Sequence, residues 1–400
     1  MTRFGPDTPA AELRALVPSP DDVADDVRAI LAAVNERGDD AVREYTQRFD
    51  GAELGDLRVP PEQIAAAADG LDPGVLEALG VAIANVGAVA EAQLHEPVAV
   101  ELPQGQRVEV VELPVQRVAA YVPGGRAAYP STVVMCAVTA RAAGVEQLAV
   151  STPPGRDGSV HPAILAACSL CEVSEIYEMG GAQAVAALAY GTASVPPVDV
   201  IVGPGNRYVQ EAKRQLAGRI GIDSVAGPSE LVVVASAGAD PELVAADLLA
   251  QAEHGPDSLV VAISPEAALL DALDGVDAAL VHARDVPSAL ALAEAIAPEH
   301  LQLMGAEAEA LADTVRFAGC VFIGAGAGTA FGDYVAGSNH VLPTGGAARF
   351  ASALGVGTFR RRMSRVSLPP GAAARLAPAG AALARAEGFT KHAESMERRA

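Results

Sequence analysis

Apolar positions in the front of the chain recur at helical spacing. Val23, Val27, Ile30 and Val34 follow Ser19-Pro20-Asp21, which predicts a helix opening there. Gly38-Asp-Asp40 breaks that helix and caps another carrying Val42, Tyr45 and Phe49, and a third spans about residues 73–94. Residues 1–20 offer little core. From Arg107 the period changes to two, so Val108 and Val110, then Val115 and Val118, read as strands around Leu113-Pro114. Residues 148–151, 198–202, 231–235, 259–263, 279–281 and 321–323 then read as buried strands, with helical stretches between most of them. That alternation implies an α/β protein with parallel-rich sheets.

A chain of 400 residues exceeds one core, so two lobes or more are expected. Its net charge of −22 argues against nucleic acid and against an anionic membrane surface. The absence of Trp removes the usual stacking platform for bases. Four cysteines are too few for a disulfide framework. Cys168 and Cys171 lie in an apolar helical stretch and read as core. Met1-Thr-Arg-Phe-Gly-Pro has no apolar leader region, and no uninterrupted apolar run reaches ~18 residues. A cytoplasmic protein without membrane partners is the expectation.

Candidate chemistry sits at chain breaks. Gln251 and His254, three apart near the end of a helix starting at Pro241, share one face. A metal or small-ligand site and a polar helix end with a capping His explain that pair equally well. Two loops, Gly180-Gly-Ala-Gln183 and Gly203-Pro-Gly-Asn206, follow strands and precede helices, where parallel sheets bind ligands. Neither fits the G-x-G-x-x-G pattern, so each is a ligand cradle or an ordinary turn. Ala297-Pro-Glu299-His300, Gly332-Asp333 with His340, and Glu387 with His392 add carboxylate–imidazole pairs. Together with His254 they favour a metal or acid–base site. Donor type alone would nominate His340 ahead of Gln251. His95, His161 and His282 read as solvated or capping.

The chain resembles the histidinol dehydrogenase family. The resemblance is carried by Tyr121-Val-Pro-Gly-Gly125, Tyr129-Pro-Ser-Thr132, Gly180-Gly-Ala-Gln183, Gly203-Pro-Gly-Asn206 and Gly221-Ile-Asp-Ser-Val-Ala-Gly-Pro-Ser229-Glu230. It continues through Gln251-Ala-Glu-His254, Ala297-Pro-Glu-His-Leu301, Gly332-Asp-Tyr334, Asn339-His-Val-Leu-Pro-Thr344, Glu387 and His392.

The resemblance implies oxidation of L-histidinol to L-histidine through histidinaldehyde with two NAD, the final steps of histidine biosynthesis. It implies one zinc per active site, held by Gln251, His254, Asp333 and His392, with His340 reduced to a nearby supporting role. Glu299 and His300 would be catalytic, His300 as general base and Glu299 as activator of water. Ser229, Gln251, His254, His300, Asp333, Glu387 and His392 would bind substrate, and Tyr121, Gln183 and Asn206 would bind NAD. The implied assembly is a homodimer whose C-terminal segment crosses to the partner, so that Glu387 and His392 complete the neighbouring site. The implied architecture is two Rossmann-like lobes. Residues 21–119 join 230–357 in a zinc and substrate lobe, and 120–229 form the NAD lobe. An N-terminal arm (1–20) and a helical C-terminal segment (358–400) complete it.

This chain departs from the family's common Asn and Pro at Cys136 and Thr139, which implies altered packing. Arg360-Arg-Arg362 with Arg365 reads as a solvated hinge. Two rivals stand beside this reading: a paralogous zinc dehydrogenase acting on another small alcohol, and a catalytically silent zinc-binding protein.

Overall fold

The computed structural model describes residues 2–17, 22–124 and 127–400. The expected helix start at Ser19-Pro20-Asp21 and Gly125 of the first glycine motif lie outside them. The chain forms two compact units, Met1–Ala92 with Gln116–Phe359, and Gln93–Val115 with Arg360–Ala400.

The first unit holds two sheets, both wholly parallel, as the strand–helix alternation predicts. One orders its strands Thr2–Phe4, Ala279–His282, Leu259–Ser264, Glu230–Ala235, His300–Met304 and Cys320–Ile323. The other runs Glu175–Glu178, Gln147–Thr152, Arg117–Tyr121, Val200–Val202 and Gly221–Ile222. Strands covered on both faces read as near-continuous apolar runs. Glu230–Ala235 and Leu259–Ser264 accordingly have every residue buried.

The helices Ala24–Arg37 and Asp39–Asp50 pack with the second sheet. Val27, Ile30, Val34 and Val42 share a core with Ala119, Tyr121, Leu188 and Ile201. Pro73–Glu91 buries Leu79, Ala82, Val86 and Ala90 and packs on the helix Pro130–Ala142. By length and composition it could cross a membrane, with 22% of its apolar window buried within the chain.

Several sequence expectations change. The N-terminal segment is not coreless: Thr2–Phe4 adds an edge strand beside Ala279–His282, and Leu13 is fully buried in the core of that sheet. Glu175–Glu178 and His300–Met304 are strands that polar residues conceal in the sequence. Gln302 is buried mid-strand, its amide nitrogen donating to Asp247 at 2.6 Å.

The second unit is an antiparallel sheet of Val98–Glu101, Arg107–Pro114 and Arg360–Ser367, followed by the helices Pro370–Ala386 and Thr390–Glu397. The basic run is therefore a strand and not a hinge. Acidic residues on the facing strand explain it. Arg362 meets Glu112 at 2.8 Å, and Arg365 meets Glu109 at 3.4 Å. The two helices are tied by Arg385, which makes two hydrogen bonds to Glu397 at 2.7 and 2.8 Å.

Candidate active site

The carboxylate–imidazole pair sits where two central strands of the six-stranded sheet begin. Glu230 opens one strand and His300 opens its neighbour, with His300 in register with Leu231 and with Cys320 on the other side. This is the amino edge of the strands, opposite to the usual placement in parallel sheets. The helix Pro241–Ala252 runs back from the far edge and delivers Gln251 to the same place.

One hydrogen-bonded chain joins these groups. Gln251 donates its amide nitrogen to Ser229 Oγ at 2.8 Å. Ser229 Oγ donates to Glu299 Oε2 at 2.7 Å, and the backbone N–H of Glu230 donates to the same oxygen at 2.8 Å. His300 Nδ1 lies 2.9 Å from the Glu230 carbonyl and 3.6 Å from Glu299 Oε2. On its other side Nε2 is 3.6 Å from Asp333 Oδ1. Since a carbonyl can only accept, Nδ1 carries a proton and Nε2 faces the carboxylate.

Burial pushes the Glu299 carboxyl up to about 7, offset in part by His300. Burial alone would lower His300, but the carboxylates of Glu299 and Asp333 outweigh it and raise it to about 9. Burial likewise opposes ionisation of Asp333, yet His300 holds that carboxyl below the usual range.

Asp333 reaches this point because Gly332 lies flat against Phe322. A Cβ there would come within 2.5 Å of the ring. Behind it, His340 Nδ1 meets the Asp333 carbonyl at 2.7 Å and Nε2 meets Thr132 Oγ1 at 3.2 Å. Asn339 donates to Thr139 Oγ1 at 3.2 Å and to the Met135 carbonyl at 3.0 Å, so the departure at 139 is absorbed in packing behind the loop.

The donors fit a zinc ion in chemistry. Gln251 has spent its nitrogen on Ser229, which leaves its oxygen for a cation. His254, exposed in the turn after the helix, is close enough to act on the Asp333 carboxylate. Among the described residues no group of three His, Cys, Asp or Glu side chains is placed to hold a metal. Glu387 and His392 both belong to the second unit, where they are exposed. Glu387 ends one helix and His392 stacks on Phe389 with ring centroids 5.1 Å apart.

The glycine loops gather at the carboxyl edge of the five-stranded sheet. The Tyr121 hydroxyl accepts from the Gly181 N–H at 3.0 Å, and burial pushes that phenol up to about 12. Gly203 holds φ +108°, and a Cβ there would fall 2.2 Å from the Tyr121 carbonyl oxygen. Tyr121 therefore touches both loops. Asn206 caps the following helix, accepting from Tyr208 and Val209 N–H at 3.0 and 3.2 Å. Gln183 is almost fully buried, and its amide oxygen has no protein partner. A buried orphan acceptor at a strand's carboxyl edge suits a bound dinucleotide.

Sequence reading missed two features here. Lys213 is fully buried, forms an ion pair with Asp223 and donates to the Gly203 carbonyl at 3.1 Å. Asp223 in turn accepts from the Gly203 N–H at 2.7 Å. Glu230 is the second, a buried carboxylate at the head of an apolar strand. A carboxylate opening the apolar run Leu231–Ala235 was the available signal for Glu230, whereas Lys213 lies among polar residues that conceal it.

Known proteins match this chain over its whole length. A family model described as histidinol dehydrogenase matches residues 17–280 and 272–400. The histidinol dehydrogenase of Parasynechococcus marenigrum is 44% identical over 398 residues, covering 94% of this chain and 91% of its own. That of Zymomonas mobilis is 45% identical over 397 residues, covering 94% and 92%. The crystal structure of histidinol dehydrogenase from Elizabethkingia anophelis is 30% identical and superposes with a TM-score of 0.94, covering 100% of this chain and 98% of that one.

Proposed function

Because the chain belongs to the histidinol dehydrogenase family, we propose that it oxidises L-histidinol to L-histidine through histidinaldehyde, passing two hydrides to two NAD. The observation that carries this reading is the buried Glu299–His300 pair, bonded through Ser229 to Gln251 and facing Asp333. A silent binding protein has no use for a buried acid–base pair held in this way, since isolating two ionisable groups from water is costly.

In the proposed sequence the neutral form of His300, which grows as the pH rises toward about 9, takes the hydroxyl proton at Nε2 as the first hydride departs. Glu299 then takes a proton from water as its oxygen adds to the aldehyde carbon, His300 returns its proton to the resulting alkoxide oxygen to give the hydrate, and His300, neutral again, takes the hydrate's proton as the second hydride leaves. Each hydride carries two electrons, so alcohol to acid requires four electrons and one water. Ser229 and Gln251 orient the substrate. Tyr121, Gln183 and Asn206 would hold the dinucleotide, and orientation of this kind is worth several orders of magnitude in rate. Zinc held by Gln251, His254, Asp333 and His392 would bind the substrate's amino and hydroxyl groups and polarise the reacting oxygen. Glu387 would accept a hydrogen bond from the substrate's imidazole ring. Both C-terminal residues would reach the site from a second copy in a homodimer.

The reading is tested by metal analysis together with a panel of amino alcohols. The protein should bind one zinc per chain, and Asp333→Ala should bind substoichiometrically. Chelation should abolish NADH formation from histidinol, and added zinc should restore it. Turnover of a different amino alcohol in preference to histidinol would replace this reading with a related dehydrogenase.

A further inference from the structure

The reading above leaves Glu230 and Arg14 without a role, yet they hold the acid–base pair in place. Glu230 contacts the pair with every polar group it has. Its N–H donates to Glu299 Oε2 at 2.8 Å, and its carbonyl lies 2.9 Å from His300 Nδ1. Its carboxylate accepts from the Glu299 N–H at 3.2 Å and from the Gly345 N–H at 2.9 Å.

Arg14, from the N-terminal segment, completes this arrangement. Its guanidinium forms an ion pair with Glu230, with Nη2 at 3.2 Å from Oε2. Nη2 also donates to the carbonyls of Ile296 and Ala297, the latter at 3.3 Å. These carbonyls end the helix Val286–Ile296. Ala297 adopts φ +52°, one of two non-glycine residues with positive φ among those described. A Cβ makes that conformation costly, so neighbouring contacts must enforce it. Two residues later the chain reaches Glu299. One planar fork thus fixes both the path of the chain into Glu299 and the carboxylate that binds its backbone, which a single ammonium could not do.

We propose that Arg14 and Glu230 are positioning residues for Glu299 and His300, making the N-terminal segment part of the catalytic apparatus. The inference rests on the reading of Glu299 and His300 as the catalytic pair.

Four variants test it: Arg14→Met, Arg14→Lys, Glu230→Gln and the double Arg14→Met/Glu230→Gln. Each is assayed for kcat, KM and urea midpoint. Arg14→Met should lose about 100-fold in kcat, the scale of a small misplacement of reacting groups, with KM nearly unchanged. Its urea midpoint should also fall, because Glu230 is left buried without a counter-charge. Glu230→Gln should lose a similar factor in kcat. The double variant removes both charges, so its midpoint should recover while kcat stays low. Arg14→Lys should recover the midpoint and only part of the rate. Should Arg14→Met fail to fold, the double and lysine variants carry the test.

A double variant that recovers rate together with stability would overturn the proposal, since the pair would then be structural only. Wild-type protein that forms NADH while all four variants match it would overturn this inference alone. Wild-type protein that forms none from histidinol would overturn the underlying reading and this inference with it.

Discussion

Glu299→Gln is expected to stop the reaction at the aldehyde. Glu299 accepts two hydrogen bonds on Oε2, from Ser229 Oγ and the Glu230 N–H. A glutamine carbonyl oxygen can accept both, so the fold and the placement of His300 should survive. The amide cannot take a proton from water. Loss of a general base typically costs 10²–10⁴-fold, and a base works best when its pKa lies near the operating pH. Burial places Glu299 there, at about 7. Histidinaldehyde supplied directly should therefore be oxidised about 10²–10⁴-fold more slowly by the variant. Histidinol oxidation to the aldehyde should change far less, because His300 is the base proposed for that step. Aldehyde oxidation at the wild-type rate would remove Glu299 from water activation.

Lys213→Met should be the most destabilising single change in the five-stranded half of the first unit. Lys213 is fully buried and its ammonium is bonded to Asp223 and to the Gly203 carbonyl. Asp223 also holds the Gly203 N–H. The pair thus clamps both peptide groups of a glycine whose conformation and contact with Tyr121 exclude any other residue. Removing one partner leaves a buried, uncompensated carboxylate, which costs about 3–5 kcal/mol. Urea unfolding should show a loss of this size, and Lys213→Met/Asp223→Asn should be less damaged than the single variant. A loss below about 1 kcal/mol would mean that water reaches the pair and that the clamp is not structural.

Much of the fold was legible because apolar runs bounded by turns mark strands buried on both faces. Leu231–Ala235 and Leu259–Ile263 are such runs. Strands that carry candidate site residues broke the pattern. His300–Met304 begins with the proposed catalytic imidazole and places Gln302 in its middle, so it resembles a loop although every residue in it is buried. The helical stripe of Val23, Val27, Ile30 and Val34 showed a buried face, but a stripe does not say which sheet it covers.

The site was legible as separate pairs. Glu299-His300 and Asp333 with His340 stood out because a carboxylate and an imidazole recur together in several loops of one chain. Their convergence was not visible, since it depends on strand order. Arg14 was invisible for the same reason. Its partners Glu230, Ile296 and Ala297 lie more than two hundred residues away and meet it only through the edge strand and helix of the N-terminal segment. Gln251 resisted on chemical grounds, as an amide is an uncommon zinc donor.

The most direct test of the account counts NADH formed per L-histidinol consumed, on protein stripped of metal and then given zinc. Two NADH per histidinol, lost on stripping and regained with zinc, is the predicted result. One NADH per histidinol, or a ratio of two that persists without metal, would contradict it.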